Sequence, residues 1–240
     1  MDLNEIKPYI KGTKFSNGLE VDCRSAGVIL ERIRFIVERT KGLKVIHLGF
    51  ADHLPLIREK VQAERWLHKR LLDSCERCVG LDINREAIEF VAKELGVKDV
   101  YYFDIFNSEP LEEFRTDKFE FLVLADVLEH MNGPVEFLRT VNKKFSNLSK
   151  SVLITVPNAF DFANIRLLKS NREVINTDHR YWFTPFTLAK VVSEAGLVAV
   201  EFGYCNPPYH RLGLISRFLQ HYPILSETLY CIANFDDSER

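Results

Sequence analysis

The chain has 240 residues, of which 46% are apolar and 28% are charged. This mixture is typical of a folded soluble protein, and it excludes a disordered chain, a collagen-like repeat and a small disulfide-stapled protein. The sequence has 32 Lys and Arg residues against 34 Asp and Glu residues, which gives a formal charge of −2. A protein that binds nucleic acid by general attraction to phosphate usually shows a clear basic excess, so the composition disfavours that class.

The cysteines and the N-terminal residues bear on where the protein works. Five cysteines are scattered along the chain rather than grouped in a disulfide framework, at Cys23, Cys75, Cys78, Cys205 and Cys231. The first residues lack the apolar core of a signal peptide, and no apolar run approaches the roughly 18 residues that span a bilayer. We therefore predict a cytoplasmic protein in a reducing compartment, with no membrane span.

Strand-like and helix-like segments alternate along the chain. Short runs rich in β-branched and aromatic residues predict strands over residues 44–48, 78–81, 100–103, 119–124, 151–156, 197–202 and 228–235. Apolar residues at helical spacing separate many of these runs, and helices are also predicted over 26–39 and 186–195. This alternation predicts an α/β fold with a mostly parallel sheet covered by helices on both faces.

The pattern predicts one domain over residues 1–240, because the chain shows no internal repeat and no flexible linker. Within this domain we distinguish an N-terminal helical extension over 1–41, a core over 43–204 and a helical insert over 205–226 before the last strand. We interpret the insert as a covering helix between the last two strands. A lid, or the contact surface of a homodimer, is the alternative interpretation.

Residues just after the strands are candidates for function, because ligands bind beyond the carboxyl ends of the strands in an open α/β sheet. The first strand is followed by Gly49 and Ala51, small residues that allow a ligand close to the backbone. Taken alone, one glycine is a poor nucleotide fingerprint. The second strand ends at Asp82, whose carboxylate can accept both hydroxyls of a ribose. A helix N-cap is the competing role, for which Asn84 is equally suited.

The third strand ends at a second acid, Asp104, which is followed by the apolar Ile105. Such a pair can hold the amino group of an adenine and cover its ring. Three strand ends of this kind in succession indicate a nucleoside-like ligand.

The fourth strand is followed by the most specific string in the sequence, Asp126-Val127-Leu128-Glu129-His130. This string resembles the D-x-L-E-H motif of the class I S-adenosylmethionine-dependent methyltransferases, and of their type 11/23-like members in particular. Residues 155–158 resemble the end of that family's fifth strand, and residues 178–184 resemble its substrate-side D-H-x-x-x-[FW]-[ST] segment. The resemblance extends over residues 43–204.

The resemblance implies a Rossmann-like fold, with a seven-stranded sheet whose last strand is antiparallel, and S-adenosylmethionine as the cofactor. The residues that it implies for cofactor binding are His47, Gly49, Ala51, Asp82, Ile83, Asp104, Ile105 and Asp126. The sequence departs from the family where an acid and glycines are common, at His47, Phe50 and Ala51. It also departs in the spacing from Gly49 to Asp82, which exceeds the usual ~20 residues.

The candidate catalytic residues are His130 and His179, because an imidazole titrates near neutrality and can take a proton from a hydroxyl. An imidazole satisfied by the backbone is the structural alternative for each. Asp126, Glu129 and His130 share one face if their segment is helical, and His179 can join them. This set resembles the metal site of small-RNA 2′-O-methyltransferases and of some quinone-ring O-methyltransferases. A divalent metal such as Mg, Mn, Fe or Zn is therefore an alternative role for these four residues.

The sequence thus predicts an enzyme that transfers a methyl group from S-adenosylmethionine to a small-molecule or glycan-type acceptor, at oxygen. A nucleic-acid acceptor is disfavoured by the near-neutral charge. Two alternatives stay open: a catalytically inactive methyltransferase-like binding protein, and a nicotinamide-dependent oxidoreductase on a Rossmann fold.

Overall fold

The computed structural model describes residues 1–24, 29–109, 114, 117–207 and 215–235. These residues form a seven-stranded sheet with the strand order β3-β2-β1-β4-β5-β7-β6. The strands are β1 (Lys44–Leu48), β2 (Arg77–Asp82), β3 (Val100–Tyr102), β4 (Phe119–Ala125), β5 (Ser149–Pro157), β6 (Leu197–Cys205) and β7 (Thr228–Phe235). Only β7 among them runs antiparallel to its neighbours, β5 and β6. The predicted α/β fold, with a mostly parallel sheet and an antiparallel last strand, is confirmed.

Helices cover both faces of the sheet. They are α1 (Leu3–Ile10), α2 (Arg32–Thr40), α3 (Leu54–Gln62), α4 (Leu67–Ser74), α5 (Arg85–Glu94), α6 (Pro134–Phe145), α7 (Phe162–Leu168), α8 (Pro185–Glu194) and α9 (Ile215–His221). Ile36 of α2 and Leu71 of α4 pack against one face of the sheet, in a cluster with Val45 and Val123. Side chains of α6 and α8 pack against the opposite face. Both faces of the central strands are therefore buried, which accounts for their continuous apolar sequences. No helix in this described part of the chain is long and apolar enough to cross a membrane.

The helix predicted over residues 26–39 begins later, at Arg32. The Glu31 side chain caps it by accepting hydrogen bonds from the backbone N–H groups of Ile33 and Arg34. Just before the cap, the Leu30 carbonyl accepts a hydrogen bond from the Asn206 N–H. The prediction was wrong for residues 29–31 because their backbone pairs with the chain that follows β6. Residues 26–28 lie outside the described part of the chain.

The long interval between Gly49 and Asp82 contains α3, a helix that the sequence pattern did not predict. It lies between the loop after β1 and α4, and Ile57 is its buried residue. The added length is thus accommodated by one extra helix at the edge of the site, and β1 and β2 still pair in parallel.

The N-terminal residues also form a helix that packs on the domain. Asp2 caps α1 by accepting a hydrogen bond from the Asn4 N–H. Ile6 and Ile10 then bury their side chains against Ala189 of α8. In the insert predicted over 205–226, the structure shows α9 and a 3₁₀ turn over Pro223–Leu225. Residues 208–214 of that insert lie outside the described part of the chain.

A buried asparagine fixes the connections at the end of β5. Asn158 is fully buried, and its side-chain NH₂ donates to the carbonyls of Ile224 and Ser226 at 2.8 and 2.7 Å. Its side-chain oxygen accepts a hydrogen bond from the Phe160 N–H at 3.0 Å. One side chain therefore ties the segment after β5 to the turn before β7.

We expect Asn158→Ala to lower the free energy of unfolding by about 2 to 3 kcal/mol, because the change leaves buried carbonyls without their donors. Urea unfolding measures this loss. The matched control is Asn147→Ala at an exposed position, which should change stability by less than about 0.5 kcal/mol. Equal stabilities of the two variants would show that the Asn158 bonds contribute nothing.

Candidate active site

The loop after β1 requires a glycine at position 49. Gly49 has φ +76°, a conformation that side chains disfavour. A Cβ added there would lie 2.5 Å from Cγ2 of Val127, in the loop after β4. The Gly49 N–H also donates to the Leu81 carbonyl at 2.8 Å. The ends of β1, β2 and β4 are therefore in direct contact at this residue.

Asp82, at the end of β2, also holds the loop after β1. Its Oδ2 accepts a hydrogen bond from the Ala51 N–H and its Oδ1 accepts one from the Asn84 N–H, both at 2.8 Å. Burial raises the pKa of Asp82 above its ordinary value. The N-cap of α5 is Asn84, which accepts a hydrogen bond from the Ala87 N–H. The capping role that the sequence left open thus belongs to Asn84, and Asp82 positions the two loops. A ribose contact by Asp82 stays a prediction.

His47, near the end of β1, is buried beside a second histidine. Its Nδ1 lies 3.3 Å from Nδ1 of His68 on α4, and both side chains are almost fully buried. Burial lowers the pKa of His47 well below its ordinary value and that of His68 to about 3. Both imidazoles are therefore neutral at physiological pH.

Besides Asp82, three of the residues predicted to bind the cofactor do not line the cleft described below. The Asp104 carboxylate accepts hydrogen bonds from the side-chain NH₂ of Asn107 and the N–H of Phe106, at 2.8 and 2.9 Å. These bonds lower the pKa of Asp104. Ile105 is buried in the main core, and Ile83 is 62% exposed. None of the three lines the cleft formed by the described residues, so their adenine and cofactor contacts stay predictions.

Asp126, which follows β4, is held in an unusual backbone conformation by two partners. It has φ +56°, which is uncommon for a residue other than glycine. Its Oδ1 accepts a hydrogen bond from the Thr155 hydroxyl at 2.9 Å, and its Oδ2 lies 3.0 Å from Nη1 of Arg32. Sequence reasoning missed Arg32, which reaches the site from the first turn of α2.

Glu129, His130 and His179 come together beside Asp126. Glu129 and His130 lie in a 3₁₀ turn over Leu128–His130, and His179 lies in the later substrate-side segment. One polar atom from each of the three lies within 4.8 Å of the others. Nε2 of His179 is 3.9 Å from Oε1 of Glu129, and the rings of His130 and His179 have centroids 4.7 Å apart. The predicted meeting of these three residues therefore occurs, whereas the Asp126 carboxylate is bound to Arg32.

Two members of this cluster carry buried polar atoms without hydrogen-bond partners among the described residues. Glu129 is fully buried, and neither of its carboxyl oxygens bonds to another described residue; the same holds for Nδ1 of His179. Burial, with a smaller contribution from the charge of Asp126, raises the pKa of Glu129 to about 9. Burial and the nearby His130 lower the pKa of His179. In the absence of a ligand, both side chains are therefore neutral at physiological pH.

The substrate-side segment is fastened to the turn that carries Glu129. The Arg180 N–H donates to the Glu129 carbonyl at 2.8 Å, and its guanidinium donates to the His130 carbonyl at 2.6 Å. Nδ1 of His130 lies 3.2 Å from the Asp178 carbonyl, and Nε2 of His53 lies 2.8 Å from Oδ2 of Asp178. Main-chain acceptors therefore hold these two segments together, and the contact between His53 and Asp178 links the substrate-side segment to the loop before α3.

A cleft of about 690 Å³ joins these features. This volume is in the range of small-molecule sites. The predicted site residues that line it are His47, Gly49, Ala51, Asp126, Glu129, His130 and His179. The acids among its described lining residues are Glu31, Asp52, Glu59, Asp126, Glu129, Asp178 and Glu227. The Lys and Arg residues of the same lining are Arg32, Lys60 and Arg65. The cleft is therefore acidic, although the whole chain is close to neutral.

A family described as "Methyltransferase domain" matches residues 49–201, which is more than half of the chain. The chain belongs to this methyltransferase family, and the resemblance to the class I S-adenosylmethionine-dependent methyltransferases is confirmed. S-adenosylmethionine is therefore the methyl donor that the family implies. No curated protein sequence matches the chain significantly.

Solved structures show the same fold at low sequence identity. The small RNA methyltransferase HEN1 is 17% identical, with a TM-score of 0.60, over 92% of this chain and 28% of HEN1. The methyltransferase domain of bacterial CtHen1-CN is 16% identical, with a TM-score of 0.53, over 85% and 97% of the two chains. Magnesium protoporphyrin IX methyltransferase (ChlM) from Synechocystis PCC 6803, with bound S-adenosylhomocysteine, is 11% identical, with a TM-score of 0.52, over 85% and 82%. This chain thus spans less than a third of HEN1, and the likeness concerns the fold.

We expect Gly49→Ala to weaken binding of S-adenosylmethionine at least ten-fold, because the new methyl group displaces Val127 at the cleft. The control is Gly96→Ala, which has a similar φ of +67° but no atom within 4 Å of the added carbon. Both variants should lose about 1 to 2 kcal/mol of stability from backbone strain. Calorimetric titration separates them, and equal affinities would show that the close approach at Gly49 does not shape the cofactor site.

Proposed function

We propose that this methyltransferase transfers the methyl group of S-adenosylmethionine to a hydroxyl oxygen of a small-molecule or glycan-type acceptor. The observation that carries the proposal is the cluster of Glu129, His130 and His179, which lines the same cleft as Gly49 and Ala51. Donor-side and acceptor-side groups thus share one cavity. Methyl transfer from a sulfonium depends mainly on holding donor and acceptor in line, and a shared cavity provides that alignment.

His130 is suited to take the proton of the acceptor hydroxyl. Its Nδ1 is 3.2 Å from the Asp178 carbonyl, which can only accept a hydrogen bond. The proton of neutral His130 is therefore placed on Nδ1, which leaves the lone pair of Nε2 available as a base. The adjacent ring of His179 packs edge-on against His130 and limits its rotation.

The same cluster fits a divalent cation. Both oxygens of Glu129 and Nδ1 of His179 are buried without partners among the described residues, and one carboxylate with two imidazoles is a common ligand set for Mn, Fe or Zn. In this alternative Glu129, His130 and His179 would hold the cation, and His130 would act as a ligand in place of a base, while Asp126 stays paired with Arg32. When bound, a cation supplies positive charge that lowers the pKa of the acceptor hydroxyl.

The charge of the cleft favours a neutral or cationic acceptor. Carboxylates outnumber Lys and Arg among the described lining residues, so a phosphate backbone would be repelled. The RNA substrate in the name of HEN1 is therefore not the acceptor that we propose here. Trp182 lies beside the cluster, with its ring centroid 6.3 Å from that of His179. An aromatic ring in this place suits the apolar face of a sugar or a ring compound.

We expect S-adenosylmethionine and S-adenosylhomocysteine, but not NAD, to raise the melting temperature of the chain by about 5 to 10 °C at a hundred-fold excess over Kd. Differential scanning fluorimetry measures this shift. A shift with NAD alone would support the oxidoreductase alternative and contradict the proposal.

His130→Ala should keep that thermal shift and reduce methyl transfer by about 10²- to 10⁴-fold, because it removes the base and leaves the donor site intact. Release of S-adenosylhomocysteine in the presence of a panel of hydroxylated acceptors measures turnover. His221→Ala, at an exposed histidine outside the cleft, is the matched control and should be unchanged. Full activity of His130→Ala would remove His130 from the chemistry.

For the cation, we expect protein purified without chelator or affinity nickel to carry about one equivalent of a divalent metal, because Glu129 is otherwise buried without a partner. Elemental analysis gives the stoichiometry. Glu129→Gln should lose the metal, and Glu136→Gln, at an exposed position on α6, should retain it. Absence of stoichiometric metal from the wild-type protein would eliminate the cation and leave His130 as a base acting alone.

A further inference from the structure

One helix next to the cleft packs very little against the rest of the protein. None of the seven residues of α7 is buried, whereas α6 buries four side chains against the sheet. Ile165 and Leu168 are 36% and 66% exposed, and residues 168–178, which begin at the end of α7, are all exposed. Large apolar side chains that stay in water on a short helix indicate a surface that binds something.

Aromatic side chains extend this surface onto α9. The ring of Phe162 lies 5.4 Å from that of Phe218, which in turn lies 4.9 Å from the ring of Tyr222. Phe218 and Tyr222 are 38% and 47% exposed. We define the α7–α9 surface by its apolar residues Phe162, Ile165, Leu168, Phe218 and Tyr222 and its basic residues Arg166, Lys169 and Arg172.

The basic residues lie at the C-terminal end of α7 and just beyond it, next to the apolar ones. Arg166 and Lys169 are three positions apart and therefore share a face, adjacent to the face that carries Ile165 and Leu168. The helix thus presents an apolar strip and a basic strip side by side to the solvent.

The positive charge of this surface is largely uncompensated. Arg166, Lys169 and Arg172 form no ion pair with any residue that the structure describes. Of the nearby acids, Asp161 caps α7 through the Ala163 N–H, and burial raises its pKa. Asp178 is paired with His53. Glu173 is the remaining acid nearby. Residues 162–172 contain the three basic side chains and no acid, so basic groups predominate within that shorter stretch.

We propose that the α7–α9 surface docks the protein onto an anionic lipid bilayer. Exposed apolar side chains enter the region between headgroups and acyl chains, and flanking Lys and Arg side chains bind the anionic headgroups; this combination defines an interfacial helix. Asn176, Asp178 and His179 at the end of the segment line the cleft, so docking places its mouth beside the headgroups.

Vesicle sedimentation tests the docking. We expect the protein to sediment with phosphatidylcholine vesicles that contain about 30% phosphatidylglycerol, and to be released by about 0.5 M salt. Vesicles of phosphatidylcholine alone should bind much less. Equal binding to both vesicles, or no binding to either, would overturn the proposal.

Single substitutions test whether the α7–α9 surface is the part of the protein that binds the vesicles. Arg166→Gln, Lys169→Gln and Arg172→Gln should each weaken binding about five-fold, and Leu168→Ser about ten-fold. The matched controls are Val198→Ser and Val200→Ser on β6, which are 44% and 50% exposed, and Lys143→Gln, an exposed residue of α6. Controls that lose as much binding as the α7 variants would contradict the assignment.

Two further measurements distinguish lipid docking from a dimer contact and from the proposed function itself. Light scattering that shows a dimer dispersed by Leu168→Ser would mean that a second copy of the chain covers the surface, and the lipid proposal would fail. The thermal shift with S-adenosylhomocysteine is independent of lipid binding. If the protein shows this thermal shift but does not bind vesicles, the proposed function stands and only the docking proposal fails.

Discussion

The fully buried carboxyl of Glu129 is the constraint on which the site depends. A buried polar group without a hydrogen-bond partner costs about 1 to 3 kcal/mol, and neither oxygen of Glu129 has one among the described residues. The turn that carries it is held on both sides, since Arg180 binds its carbonyl and the Asp126 N–H donates to the Thr155 carbonyl. Arg32 pairs with Asp126 and offsets part of the repulsion that the charge of Asp126 exerts on an ionised Glu129. The surrounding structure therefore maintains an unsatisfied acid at the bottom of a cleft, an arrangement that favours ligand binding over stability.

The positions of the strands along the chain and much of their extent are predictable, because buried parallel strands have distinctive sequences. Both β1 and β7 occur over the residues that the pattern indicates. The end of β6 is harder to predict, because Gly203 and Cys205 are not typical strand residues. Gly203 is explained only by the neighbouring strand, since a Cβ there would lie 2.7 Å from the ring of Tyr230. The extent of β6 thus depends on its pairing with the neighbouring strand, which the local sequence does not reveal.

The candidate site also contains some residues that a local sequence pattern predicts and others that only the packing of the chain explains. Glu129 and His130 are adjacent in one specific string, and this local signal places them together. Arg32 is not predictable from any local pattern, because its role arises when α2 packs beside the end of β4. Asp82 and Asp104 look equivalent in sequence, as acids at strand ends, yet Asn107 captures Asp104 in a tight turn. The spacing of Asp104 and Asn107 is the one sequence signal that could have distinguished the two acids.

The acidity of the cleft has opposite consequences for binding and for chemistry. S-adenosylmethionine carries a positive sulfonium, and its product is a neutral thioether, so the acidic lining stabilises the bound donor more than the product. The acidic lining therefore favours replacement of bound product by a new donor molecule. The electrostatic stabilisation of the sulfonium is lost, however, as the positive charge leaves sulfur in the transition state. The rate acceleration must then come from the groups that fix the acceptor and take its proton. In the proposed function these groups belong to the segment around Glu129, His130 and Arg180, which several hydrogen bonds hold in place.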